Sequence, residues 1–312
     1  MEQSSFDPIL PDEMHTLILG SAPGKRSLIK QQYYAHKGNA FWPLALKYWQ
    51  QEPTHDYSKK IMLLTDHRIG LWDVFGQFVR NGSMDHQFQQ VTLQPLAQLF
   101  EAFPISLVIL NGKTATKTYQ TITSTIPTQW LTLSCPSTSG ANNRQQELRQ
   151  KQWFLAYRIS ELLDDFTRQG LRVYFGHTPF IWQYVKHLRT LVFIQEQNIA
   201  TQDEFDELTS DEHYDYFLVM DQELPVATIR FQLTDTTIQP DRFCIAKTYR
   251  NKTIGTRLLS LYETYGHFLN ATKSQLIAEC QALPFYQKMG YQVIDAPHVV
   301  DGILCQTMQK TL

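Results

Sequence analysis

The sequence predicts two α/β domains in tandem: a three-layer α/β/α domain on a mainly parallel sheet over residues 1–168, then a mixed α/β domain over residues 171–312. Three observations carry this. Short segments that are apolar throughout alternate with amphipathic ones, the pattern of strands covered on both faces by helices. The first of them, Leu17-Ile18-Leu19, stops abruptly at Gly20-Ser21-Ala22-Pro23-Gly24. After Arg168-Gln169-Gly170 the pattern restarts in a different form, with strands joined by a hairpin. At 312 residues and 43% apolar content, the chain is long enough for two separate cores.

The stretch from Thr16 to Trp42 organises the first half. A buried strand feeding a tight glycine turn puts backbone N–H groups at the carboxyl end of a sheet, where α/β folds bind ligands. Beyond it, Tyr33-Tyr34-Ala35-His36-Lys37-Gly38-Asn39-Ala40-Phe41-Trp42 sets one amide among rings able to stack on a base. Ala40 to Gln50 reads as a helix. Ile61-Met62-Leu63-Leu64 and Ile69 to Phe75 are apolar segments separated by a polar turn. Leu93 to Phe103 is a helix, Ser106 to Leu110 a strand ending at Asn111-Gly112, and Lys113 to Thr121 a helix. Strand Trp130 to Leu133 ends in the small, polar loop Ser134-Cys135-Pro136-Ser137-Thr138-Ser139-Gly140-Ala141-Asn142-Asn143, expected at the same strand end as the first glycine turn. A long helix from Arg144 to about Thr167 closes the unit.

In the second half, strand Leu171 to Phe175 leads to a helix over Ile181 to Gln197. The acidic stretch after it, with Asp203, Glu204, Asp206, Glu207, Asp211 and Glu212, reads as a solvated surface. A hairpin of Tyr216 to Met220 with Val226 to Leu233 follows, then a strand near Phe243 to Ala246. Tyr249-Arg250-Asn251-Lys252-Thr253-Ile254-Gly255-Thr256 leads into a helix ending near Leu269, followed by strand Leu276 to Ala278, Pro284 to Tyr291, and a last strand from Ile303 to Met308.

Charge and cysteine usage narrow the class. Before Gly170 there are 16 basic and 14 acidic residues, and after it 12 and 16, so any affinity of the first half for nucleic acid comes from a local patch. Cys135, Cys244, Cys280 and Cys305 are widely spaced without a CxxC pair, which argues against a disulfide framework, a zinc site or an iron–sulfur cluster. The opening Met1-Glu2-Gln3-Ser4-Ser5 lacks the regions of a signal peptide, and no apolar run spans a bilayer. The expectation is a cytoplasmic protein with neither membrane contact nor bound metal.

Residues from about Thr16 to Thr167 resemble the uracil-DNA glycosylase superfamily, and within it the DNA-deoxyinosine (hypoxanthine) glycosylases. The resemblance is carried by Gly20 to Gly24, Tyr33 to His36, Gly38 to Trp42, Gly70-Leu71-Trp72-Asp73-Val74, Leu110-Asn111-Gly112 and Pro136 to Ser139. It implies removal of a deaminated base from DNA. Cleaving an N-glycosidic bond passes through an oxocarbenium-like sugar, so the site needs a group to position water and donors for the departing base. Many members carry Asp, Asn or Glu in the first turn, where this chain has Ser21 and Ala22. The resemblance therefore assigns the water to Asn39. In this reading the backbone N–H groups of the turn Gly20, Ser21, Ala22, Pro23 and Gly24 would meet the base, Tyr34 or Phe41 would stack on it, and Pro136, Ser137, Thr138 and Ser139 would pinch the strand, while His36 is a surface or phosphate contact rather than an acid. Each feature also has a structural reading: the turn as an ordinary strand-to-helix connection, Asn39 as a helix cap, Phe41 and Trp42 as core. Cys135-Pro136 and Gly140 depart from the superfamily's pattern.

Residues from about Leu171 to Leu312 resemble GNAT-superfamily N-acyltransferases with an early Val-Phe-x-x-Glu-Gln element, here Val192 to Gln197. The resemblance implies acetyl-CoA as co-substrate, held by Cys244, Ile245 and the turn Arg250, Asn251, Lys252, Thr253, Ile254, Gly255 and Thr256, where N–H groups and a helix dipole meet the pyrophosphate. Phe285-Tyr286 with Gly290-Tyr291 makes Tyr286 the candidate acid for the departing thiolate. Thr253 stands where the family has its first glycine, and Cys305 where it commonly has histidine. Glu196 is read either as a general base or as an exposed helix carboxylate. The acceptor is an unidentified amine or peptide. The alternative reading of the whole chain is a non-catalytic damaged-DNA-binding domain joined to an acyl-CoA-sensing or structural partner.

Overall fold

The computed structural model describes residues 2–80, 88–140, 145–205, 213–300 and 302–312. The loop residues Ala141, Asn142 and Asn143, the helix start at Arg144, and the acidic residues Asp206, Glu207, Asp211 and Glu212 lie outside the described residues. The chain divides into two compact units, Met1–Asp165 and Phe166–Leu312.

The first unit contains strands β1 (Glu2–Ser4), β2 (Thr16–Gly20), β3 (Ile69–Asp73), β4 (Gln77–Arg80), β5 (Phe88–Gln89), β6 (Leu107–Asn111) and β7 (Leu131–Cys135). Its helices are α1 (Lys25–Lys30), α2 (Phe41–Tyr48), α3 (Tyr57–Asp66), α4 (Leu96–Ala102), α5 (Lys113–Thr123) and α6 (Gln146–Thr167). Four strands form one sheet in the order β3-β2-β6-β7, every pair parallel. Every residue of β2, β3 and β6 is buried, whereas the edge strand β7 alternates buried and exposed. That is why β2, β3 and β6 read as unbroken apolar runs.

Helices cover both faces. Leu17 and Leu19 share a core with Val108, Leu110, Leu99 of α4 and Tyr119 of α5. On the opposite face the Thr16 hydroxyl meets that of Ser160 on α6 at 3.0 Å, and Phe41 at the start of α2 packs edge-on against Trp153 of α6, centroids 5.7 Å apart. Phe41 and Trp153 are fully buried, each contributing roughly 1.5–3 kcal/mol. The apolar segment Ile61 to Leu64 lies in α3, which starts at Asp56, whose carboxylate accepts from the Ser58 and Lys59 N–H groups. Only Leu63 and Leu64 of α3 are buried, a helical stripe rather than a strand. The small antiparallel sheet β1-β4-β5 has no signal in the sequence pattern, because its strands are two to four residues long and partly polar.

The second unit contains β8 (Leu171–Gly176), β9 (Tyr216–Asp221), β10 (Leu224–Arg230), β11 (Leu233–Thr234), β12 (Thr237–Ile238), β13 (Asp241–Ile245), β14 (Lys273–Glu279), β15 (Gln292–Val293), β16 (His298–Val300) and β17 (Ile303–Thr311). Its helices are α7 (Pro179–Arg189), α8 (Thr201–Glu204), α9 (Ile254–Phe268) and α10 (Leu283–Lys288). Strands β13-β10-β9-β8 make an antiparallel sheet, and β11-β12-β14-β17-β15 a mixed one, parallel between β12 and β14, with β16 on β17. Among the described residues no strand pairing joins β13 to β14, and a cleft opens where the two sheets part.

The single helix expected over Ile181 to Gln197 is two elements. α7 ends at Arg189, and Thr190–Glu196 continues as a π-helical turn, a widening frequent at functional sites. Glu204 is not part of a solvated acidic surface. It is 2% exposed, and its carbonyl and carboxylate hold the fully buried Arg189, whose Nη1 also donates to the Tyr216 hydroxyl at 3.1 Å. A buried carboxylate needs such a partner to stay charged. Asp203 beside it is exposed. The four cysteines are free thiols, and no helix of the described residues is long and apolar enough to cross a membrane.

Candidate active sites

Parallel strands β2, β3 and β6 deliver Gly20, Asp73 and Asn111 to one sheet end, and the first site grows from them. The Gly20 carbonyl accepts from Val74 N at 2.9 Å and that of Ser21 from Phe75 N at 3.1 Å, which fixes the turn against the residues after β3. A Cβ on Gly20 would lie 2.9 Å from the Tyr34 hydroxyl and closer still to Asp73 Oδ1, so only glycine fits this crossing. Buried Arg80 donates from Nη2 to the Pro23 carbonyl at 2.6 Å and holds the far side of the turn.

Tyr34 takes up a left-handed backbone conformation (φ +54°) and lays its ring on Phe41, centroids 4.2 Å apart and planes 30° off parallel. Burial, reinforced by the Asp73 carboxylate, pushes the Tyr34 hydroxyl well above the ordinary tyrosine value, so it stays a donor. The next loop is held by its own turn: Asn39 N donates to the His36 carbonyl at 2.8 Å, and Gly38 N to His36 Nδ1 at 3.1 Å. Asn39 Oδ1 accepts from Phe41 N at 2.9 Å, so the side chain does cap the start of α2. An amide oxygen has two acceptor positions, and this bond uses one of them.

The loop after β7 is fastened by Asn111. Its Nδ2 donates to Thr138 Oγ1 and its Oδ1 accepts from Thr138 N, both at 2.9 Å. The Thr138 carbonyl accepts from Ala40 N at 2.8 Å, which sets this loop beside the one carrying Asn39. The two loops meet at a pair of glycines: a Cβ on Gly140 would lie 2.8 Å from the Gly38 carbonyl oxygen.

The result is a cleft of about 740 Å³ lined by Gly20, Ser21, Ala22, Pro23, Gly24, Tyr34, His36, Asn39, Ser137, Thr138 and Ser139, with Lys25, Arg26, Asp73, Arg80 and Asn111. Two residues assigned from the sequence are elsewhere. Phe41 is fully buried beneath Tyr34 and has no face to offer a ligand, whereas Tyr34 lines the cleft. Pro136 does not reach the cleft; its carbonyl accepts from Trp153 Nε1 at 2.9 Å and anchors the loop. Asp73, Arg80 and Asn111 line the cleft without being singled out as site residues by the sequence. Asp73 and Asn111 carry a usable signal, since each is the polar residue that ends an apolar strand, the position facing a ligand in a parallel sheet. Asp73 is 2% exposed and accepts from Ser5 Oγ at 2.8 Å.

The second site is the cleft between the two sheets of the C-terminal unit, about 920 Å³, whose lining includes Glu196, Cys244, Ile245, Arg250, Glu279, Tyr286 and Cys305. Arg250 is committed to structure: its Nη2 donates to Glu196 Oε2 at 2.8 Å and its Nε to the Ile245 carbonyl at 3.0 Å. The guanidinium holds the Glu196 carboxyl below the usual glutamate range, which makes Glu196 an ion-pair partner and a poor base. Asn251, Lys252, Thr253, Ile254, Gly255 and Thr256 do not line this cleft; they form the turn into α9 at its edge. The N-cap Thr253 has φ +62°, a conformation that favours glycine, and Gly255 is pressed so close to Ile245 that a Cβ would lie 2.7 Å from its Cδ1. Ile254 is buried away from the cleft, so its side chain is not presented to a ligand, whereas Cys244, buried beside Leu188 and Val192, borders the cleft. Burial pushes the Tyr286 hydroxyl above the usual tyrosine value, keeping its proton in place. Among the described residues no cluster of His, Cys, Asp and Glu could hold a metal ion.

A parallel sheet with a loop-built cleft at its carboxyl end, followed by two sheets parting around a second cleft beside a helix N-terminus, makes a chain of two α/β domains, each with its own candidate ligand site. Residues 8–163 match the model of the uracil DNA glycosylase superfamily and residues 163–312 that of the GNAT acetyltransferase domain, and the chain belongs to both families. The first half is similar to the "Hypoxanthine DNA glycosylase" of Methanosarcina acetivorans, 35% identical over 51% of this chain and 99% of that one. That of Methanosarcina barkeri is 32% identical over the same shares. The second half is similar to the "uncharacterized N-acetyltransferase YjcF" of Bacillus subtilis, 31% identical over 37% of this chain and 81% of that one. The protein is thus a glycosylase fused to an acetyltransferase, with DNA and acetyl-CoA as the substrates those two classes imply.

Proposed function

We propose that the first domain hydrolyses the N-glycosidic bond of a deaminated base in DNA, hypoxanthine foremost, for base-excision repair. The observation that carries the reading is the meeting of Asn39, the Gly20–Gly24 turn and Ser137–Ser139 around one cleft at the carboxyl ends of the parallel strands. In this reading the base is flipped out of the duplex into the cleft, against Tyr34 and the backbone N–H groups of the turn. Asn39 orients the attacking water. Its Oδ1, held in place by the bond from Phe41 N, has its second acceptor position for a water O–H. The water's lone pair then faces the sugar carbon as the C–N bond lengthens, and the departing purine takes the electron pair. The cap and the catalytic role are compatible, because the cap bond fixes the amide's rotamer. Ser137 to Ser139, with Lys25 and Arg26 at the rim, meet phosphates.

The second domain transfers the acetyl group of acetyl-CoA to an amine or peptide nitrogen. The turn Arg250 to Thr256 at the N-terminus of the fifteen-residue α9 suits the pyrophosphate, and Tyr286 is the acid for the thiolate. Incubating the protein with duplexes containing deoxyinosine or deoxyuridine and scoring abasic sites tests the first assignment. No cleavage of any deaminated base, with tight binding to the same duplexes, would replace it with damage recognition alone. Titration with acetyl-CoA followed by thiol release across acceptors tests the second.

A further inference from the structure

The carboxylates of the second cleft sort by what neutralises them. Glu196 is paired with Arg250, Glu204 with Arg189, and Asp241 with Arg230. Asp203 is exposed on the four-residue α8. Glu279 is different. It is the last residue of β14, faces the cleft with Tyr286, and among the described residues accepts its one hydrogen bond from Gln281. The short turn Cys280–Ala282 between β14 and α10 brings Glu279 and Tyr286, seven positions apart, to the same wall. Ile277, two residues earlier on the same face of β14, lines the cleft with Phe193 and Ile303. Across the ladder Glu279 is paired in register with Cys305, where the chain lacks the family's histidine.

We propose that Glu279 is the acceptor-binding carboxylate of the acetyltransferase, and that the acceptor is a primary amine on an apolar stem. This rests on the reading of the domain as an acetyl-CoA-dependent transferase. The ammonium of the acceptor docks on Glu279 while its stem lies along Ile277 and Phe193. Glu279 takes one proton, leaving a neutral amine whose lone pair attacks the thioester carbonyl carbon. The C–N bond forms and the C–S bond breaks, with the Tyr286 hydroxyl giving its proton to the thiolate. The second proton lost from nitrogen returns to Tyr286, and the first leaves Glu279 for solvent. One ammonium and one thioester thus give one amide, one thiol and one proton.

The test measures acetyl transfer by the full chain to hexylamine and phenethylamine, to the corresponding alcohols, and to glutamate as an anionic amine, for wild type and for Glu279→Gln and Glu279→Asp. Acetyl-CoA affinity is measured alongside by calorimetry. The expected result is transfer to the apolar amines alone. Glu279→Gln should raise their KM by about tenfold or more, the worth of a hydrogen bond to a charged group. Glu279→Asp should recover part of the loss, and acetyl-CoA affinity should stay unchanged. Unaltered amine kinetics in Glu279→Gln, or a preference for the anionic amine, would overturn the proposal. Binding of acetyl-CoA with no transfer to any amine would overturn it too while leaving the cofactor site in place. Absence of acetyl-CoA binding would bring down the underlying reading as well.

Discussion

Replacing Asn39 by alanine separates the two jobs of its side chain, capping a helix and orienting water. The bond from Phe41 N to Asn39 Oδ1, 2.9 Å long, satisfies one N–H at the start of the eight-residue α2. Losing it costs about 1 kcal/mol of stability, a small part of the roughly 5–15 kcal/mol typical of a folded domain, so Asn39→Ala should stay folded. The chemistry is far more sensitive. Removing one preorganised polar group from an active site costs about 10²–10³ in rate, or roughly 2.7–4 kcal/mol. Single-turnover formation of abasic sites in a deoxyinosine duplex should therefore fall by about two to three orders of magnitude in Asn39→Ala. Asn39→Asp keeps an acceptor both for Phe41 N and for water, and should recover much of the loss. Thermal unfolding read alongside distinguishes the effects. An Asn39→Ala rate within about threefold of wild type, together with the small stability loss of a missing cap, would show that Asn39 caps α2 and does nothing more.

Other perturbations probe the frame around the two clefts. Gly140→Ala puts a Cβ 2.8 Å from the Gly38 carbonyl, a backbone atom that cannot swing aside. It should push the two loops apart and weaken binding to deoxyinosine duplex in a titration, with the sheet core intact. Thr253→Gly relieves a β-branched residue at φ +62°; denaturant unfolding of the C-terminal unit should shift by about 1 kcal/mol toward stability, with acetyl-CoA binding preserved. Glu196 is held below its ordinary value by Arg250, so the pair stabilises the fold above the ordinary glutamate range and is lost as pH falls through the lowered value. Glu196→Gln should flatten that acid limb in a pH series of unfolding midpoints. Because Tyr286 keeps its proton past the usual tyrosine range, acetyl-transfer rates should not fall through about pH 10, and Tyr286→Phe should slow thiol release while acetyl-CoA still binds.

Much of the fold was legible because its signals are local. Leu17 to Leu19, Ile69 to Trp72 and Leu107 to Leu110 read as covered parallel strands because every one of those residues is buried. Segments of mixed period misled or were silent. Ile61 to Leu64 is apolar over four residues, too short to tell a strand from a turn of helix, and the deciding cue is the Asp56 cap five residues earlier. The π-helical turn at Thr190–Glu196 has no local signature at all; it carries Val192 into a core with Leu188 and Cys244.

By itself the sequence determined the two families, the covered parallel sheet and the motifs that border each cleft, since hydrophobic period, glycine turns and motif order are properties of neighbouring residues. Tertiary structure decided which residues of those motifs are presented. Tyr34 and Phe41 are equally aromatic in the sequence, yet Phe41 is sealed beneath Tyr34. Arg250 and Glu196 both read as site residues until their pairing across 54 positions commits each to the other. Asn111, read as a strand end and as part of the glycosylase resemblance but not as a site residue, proves to fasten the Thr138 loop beside Asn39. Burial and charge pairing depend on what the rest of the chain brings alongside, and no local pattern encodes that.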